Sequence, residues 1–111
     1  MSTSAGGWRV PAEPWIGLAH VKPRQGNDSL RGAKGAYVCV VALAETQAQY
    51  ARETRSLLNS HSFHVLEILD VEPLQKRQER SALDPEIRQL AESLCPNAPA
   101  ALHKFHAYDT E

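Results

Sequence analysis

Arg24, Arg31 and Lys34 stand among Gly26, Gly32 and Gly35, with Asn27, Asp28 and Ser29 between them. Cations on a glycine-bearing turn can hold a phosphate or carboxylate, because the side chains supply charge and the freed backbone N–H groups supply hydrogen bonds. Arg24, Asn27, Arg31 and Lys34 are therefore the candidate ligand-binding residues. The segment is not a P-loop, since it ends Gly-Ala-Lys-Gly rather than Gly-Lys-Ser/Thr and runs into an apolar stretch instead of a helix.

The other chemistry-bearing residues each lack a necessary neighbour. His61 with His64, and His103 with His106, have the short spacing of metal ligands, but residues three apart on a strand point to opposite faces and neither pair has a third ligand nearby in sequence. No metal or other cofactor is expected. Glu67 and Asp70 likewise diverge on a regular strand, whereas Asp70 and Glu72 share a face at what reads as a solvated strand end. Cys39 lies in an apolar run, where burial raises a thiol pKa, and Cys95 falls at a helix C-terminus, whose dipole opposes a thiolate. No base, nucleophile and orienting partner come together along the chain, so the reading leans away from an enzyme.

The elements that must position these residues follow from periodicity. Residues 1–14 are rich in Ser, Gly and Pro and read as a mobile arm ahead of one domain spanning 15–111. Trp15 to Lys22, closed by Pro23, reads as a first strand near a sheet edge, and Arg24 to Gly35 as a long loop. Ala36 to Ala44 is apolar on both alternating faces and reads as a central strand. Thr46 and Gln49 have capping-box spacing, which predicts a helix over 47–59.

Phe63 to Val71 returns to strand chemistry, with Val65, Leu69 and Val71 on one face and Leu66 and Ile68 on the other. The polar run 74–80 predicts a short exposed helix. Asp84 before Pro85, with Ile87, Leu90, Ala91 and Leu94 at helical spacing, predicts a second amphipathic helix. Leu102 to Tyr108 closes the chain as a strand.

The order β-β-α-β-α-β predicts an α+β two-layer sandwich: a four-stranded sheet with two main helices on one face, ferredoxin-like or a close variant. Such a sheet leaves an apolar second face, and Val38, Val40, Leu66 and Ile68 are the candidate interface residues on it. The leading functional expectation is a small binding or regulatory module acting through a protein partner or self-association, as a homodimer for instance. The alternative is a small anionic ligand held by loop 24–35. Nucleic acid is disfavoured, since the chain carries a net charge of −1 and its basic surplus is confined to residues 1–35. With two cysteines, no secretory pattern at the N-terminus and no apolar run long enough for a membrane helix, the cytoplasm is the expected location.

Overall fold

A computed structural model describes residues 12–108. Four strands and three helices follow in the order β1 Glu13–Pro23, β2 Gly35–Ala44, α1 Gln47–Ser60, β3 Phe63–Pro73, α2 Leu74–Arg80, α3 Pro85–Ser93 and β4 Ala100–Tyr108. The strands form one antiparallel sheet in the order β3-β1-β2-β4. β2 and β3 both run antiparallel to β1, so they are parallel to each other, and α1 carries the chain across β1 between them. The order is not the ferredoxin-like one, because the chain's first strand fills the gap that this crossover leaves.

β1 is thus central, not an edge strand as its proline suggested. Pro14 and Pro23 lie near its two ends, where a missing N–H interrupts little of the ladder. The strand also starts at Glu13, inside the stretch expected to be an arm, while residues 1–11 of that expectation lie outside the described residues.

The helices do not share one face of the sheet. Ala19 and Val21 of β1 and Ala36, Val38, Val40, Ala42 and Ala44 of β2 pack with Tyr50 and Leu58 of α1. On the opposite face Ile16 and Val41 pack with Leu74 of α2, and Cys39, Leu83, Ile87, Ala91 and Leu94 lie against them. A two-sided apolar strand is what the sequence displays at 36–44, and the second side is met by α2 and α3 rather than left open. These helices cover the half of that face around Ile16, Cys39 and Val41. The half around His20 and Tyr37 has no helix over it among the described residues.

Tyr50 fixes α1 to the sheet. Its ring crosses Gly17, where a Cβ would lie 2.6 Å from the Tyr50 hydroxyl, and the hydroxyl donates to the Val40 carbonyl at 2.8 Å. Only glycine leaves room for this approach. At the start of α1, Thr46 Oγ1 accepts from the Gln49 N–H, as the spacing predicts, while Gln49 Oε1 reaches back to the N–H of Glu45.

β3 departs from simple alternation. Its register with β1 shifts between Ile16 and Leu18 and again between His20 and Val21. Val65 and Ile68 consequently share the α1 face, opposite Val21 and Ala19, while Leu69 faces the other way opposite Leu18. Bulges reset the period of two, which is why the expected assignment of these residues fails. Asp70 sits at one irregularity with φ +54, and its carbonyl accepts from Arg77 Nη2 at 3.0 Å. Glu72 takes hydrogen bonds from Arg77 Nε and from both terminal nitrogens of Arg80, tying the β3–α2 corner together.

Candidate functional site

The uncovered half of the second face is built by cross-strand pairing. His20 of β1 lies opposite Tyr37 of β2 and Glu67 of β3, and Tyr108 of β4 lies opposite Gly35. Residues directly opposite on neighbouring strands share a face, so one imidazole, two phenols and one carboxylate converge there. His20 stacks on Tyr37 with ring centroids 4.4 Å apart and planes 13° from parallel. Its Nε2 lies 2.6 Å from the Tyr108 hydroxyl, and its Nδ1 lies 3.7 Å from Glu67 Oε2.

Gly35 makes this convergence feasible. A Cβ there would stand 2.7 Å from Cζ of Tyr108, press on its hydroxyl and approach the Val21 carbonyl at 2.9 Å. The Lys34 N–H donates to the Tyr108 carbonyl at 2.9 Å and holds the end of β4 in place. In front of Tyr108 is an open concavity of about 350 Å³, lined by Lys22, Lys34, Leu66 and Tyr108. Leu66 reaches this surface because it is the unpaired residue of the second β3 bulge, and it is 43% exposed.

The His20 tautomer follows from its surroundings. A carboxylate beside Nδ1 favours an N–H at that atom, which leaves Nε2 of the neutral ring as an acceptor for the Tyr108 hydroxyl proton. Tyr108 therefore turns its lone pairs, not its proton, towards the concavity when His20 is neutral. The arrangement brings together a hydroxyl, an imidazole, a carboxylate and two lysine side chains.

Of the four expected loop residues, only Lys34 lines this concavity. Arg24 donates from Nη2 to Asn59 Oδ1 at 2.8 Å, and its N–H bonds to the Ser62 carbonyl. Asn27 donates to the Ser62 carbonyl at 2.7 Å and accepts from both the N–H and the hydroxyl of Ser29. These two residues fasten the loop to the α1–β3 turn. Arg31 is exposed with φ +56, beside Gly32 at φ +85.

The expected apolar interface does not form a single surface. Val38 and Val40 are fully buried beneath α1, Ile68 is half-buried on that same face, and Leu66 alone is exposed. The cause is that α1 covers the face shared by Val38, Val40 and Ile68, while the β3 bulge sets Leu66 apart from them.

The remaining histidines and carboxylates lie elsewhere in the fold. His61 caps the C-terminus of α1, and His64 pairs with Lys22 in the sheet. His103 meets Asp84 and Glu86 of the α3 N-terminus, all within 4.8 Å, a grouping of three potential ligands that sequence spacing did not reveal. There the Asp84 carboxylate caps the Glu86 N–H at 2.8 Å, and Glu86 Oε1 lies 2.9 Å from His103 Nε2 and 3.8 Å from Lys104 Nζ. Hydrogen bonds from Arg80 and Arg77 hold the Glu72 carboxyl below the usual carboxylate range, and burial pushes the Cys39 thiol up, away from reactivity.

Sequence reasoning missed His20 and Tyr108 as partners because 88 positions separate them. The one local hint is Gly35 at the head of an otherwise apolar strand, since a strand glycine marks close approach of another group. No protein-family model, curated protein or solved structure matches the chain.

Proposed function

We propose that this domain is a binding module for a small anionic ligand, held in the concavity between Lys22, Lys34, Leu66 and Tyr108. The observation that carries the reading is that Lys22 of β1 and Lys34, just ahead of β2, line one concavity with a tyrosine and an exposed leucine. An anion with an apolar body fits this set: the lysines attract the charge, the hydroxyl orients it and Leu66 contacts the remainder. The reading keeps the anionic ligand expected from loop 24–35 and moves its centre from the loop to the sheet. Free thiols at Cys39 and Cys95 fit a reducing cytoplasm, and no helix of the described residues is long and apolar enough to cross a membrane.

Titration with benzoate, followed by amide NMR shifts, tests the reading. Shifts centred on Gly35, Leu66 and Tyr108 that vanish in the K22E/K34E double variant support it. Shifts that persist in that variant, or that instead vanish in R24E/R31E, place the anion elsewhere and end it.

Association with a protein partner or a second copy is the second reading. It rests on exposed Leu66 and on the outer edges of β3 and β4, whose ladders have no neighbour among the described residues. Sedimentation at micromolar concentration distinguishes a homodimer from a monomer.

A further inference from the structure

The concavity and His20 are joined by a single hydrogen bond, whose direction is set by which nitrogens of the imidazole carry protons. With its proton on Nδ1, on the side of Glu67, neutral His20 accepts the Tyr108 hydroxyl proton at Nε2, across 2.6 Å, so the phenolic oxygen offers only lone pairs to the concavity. Protonated His20 carries a proton on both nitrogens. Its Nε2–H then donates to the Tyr108 oxygen, and the hydroxyl proton is released to point outwards. One proton taken up at the imidazole thus changes Tyr108 from a group that repels an anion into a donor that binds it, and adds positive charge directly behind.

From this geometry we infer that capture of the anionic ligand is coupled to uptake of a proton by His20, with Tyr108 as the residue that reads the ligand. The inference rests on the proposed binding role of the concavity. The groups facing His20 define the electrostatics of the coupling. On β1 the same face carries Lys22, on β2 Tyr37, on β3 Glu67 and His64, and on β4 Tyr108 and His106, with Lys34 entering β2. Glu67 lies 3.7 Å from Nδ1, and an anion that accepts from Tyr108 requires the bond direction that protonated His20 imposes. Anion and proton are therefore expected to bind with positive cooperativity, each raising the affinity of the site for the other. The ligand class is an oxyanion such as a carboxylate or sulfonate attached to an apolar group, since its oxygen must accept from Tyr108.

Isothermal titration of the full chain with benzenesulfonate, whose charge is constant over the range, reads the coupling directly. Between pH 7.5 and pH 5.5 the affinity is expected to rise roughly tenfold, the worth of one hydrogen bond to a charged group at a half-exposed site. Repeating the titration at pH 7.5 in two buffers of different ionisation enthalpy should reveal net proton uptake on binding. His20→Gln should still bind, with affinity flat across the range, and Tyr108→Phe should bind more weakly at pH 5.5 with a reduced pH dependence. NMR spectra of both variants check that the sheet is intact. Wild-type binding that is independent of pH, or pH dependence that survives in His20→Gln, overturns the coupling. Absence of wild-type binding at either pH overturns the proposed ligand role itself.

Discussion

Replacing Gly17 by alanine should destabilise the domain through one identifiable collision. The added methyl would meet the Tyr50 hydroxyl at 2.6 Å and two ring carbons at 3.0 Å, and Tyr50 is fully buried. The ring cannot move outward, because its hydroxyl is bonded to the Val40 carbonyl and α1 rides with it. Overpacking of this kind costs about 1–3 kcal/mol. Loss of the Tyr50–Val40 hydrogen bond adds about 1 kcal/mol. Alanine's lower backbone entropy in a strand returns about 0.5–1 kcal/mol. The net expectation is about 2 kcal/mol, or about 10 °C in Tm for a domain of this size. Urea denaturation of G17A against wild type measures it, and a cycle with Y50F tests the cause. Removing the phenolic oxygen takes away the closest contact, so the cost of G17A should fall to about 1 kcal/mol in the Y50F background. Equal stability of G17A and wild type, or an unchanged cost with Y50F, would refute the reasoning.

Two further outcomes are expected. Burial is the main cause holding the Tyr50 phenol well above the ordinary tyrosine range, so the folded state keeps its proton while the unfolded chain ionises from about pH 10 upward. The unfolded state then binds fewer protons, and stability should be complete below about pH 10 and decline above it; alkaline urea titrations should show a shallower decline in Y50F. Thr46→Ala removes the oxygen that accepts from the Gln49 N–H and should cost about 1 kcal/mol, with Thr46→Ser restoring most of it in the same denaturation assay.

Much of the architecture is legible locally. The cap at Thr46, the Asp84-Pro85 helix start and the two-sided apolar run 36–44 each declare an element through side-chain chemistry acting over a few residues. Strand order is different in kind, because β1 reads the same whether its second neighbour is solvent or β3. Pro23 pointed towards an edge, yet at the last position of a strand it interrupts no bond that a central strand requires.

The α2 and α3 packing was hidden for a related reason. Apolar residues on both sides of 36–44 show that two layers cover the sheet, but not whether the second is a helix of this chain or another molecule. The bulges of β3 leave no mark in composition, so simple alternation puts Val65 and Ile68 on opposite faces when they share one. The candidate site was least legible of all. Its lysines sit at the two ends of the 24–34 connection, where Lys34 was visible as part of a basic loop, while His20 gains meaning only from β3 and β4 on either side.

The position of β1 between two strands that the α1 crossover joins has a consequence for how the chain acquires its fold. Among the described residues, the β1–β2 hairpin contains the only strand pairing available before α1 and β3 exist, and one edge of β1 must wait for β3 to arrive from beyond the helix. Such long-separation pairing slows folding, because chain entropy is lost before the contacts that reward it are made. β4 follows α3 and covers the other side of the hairpin, bringing Tyr108 to His20 across 88 positions. A growing or truncated chain lacking β4 therefore has the histidine but not the hydroxyl, and the site comes into being only when β4 pairs.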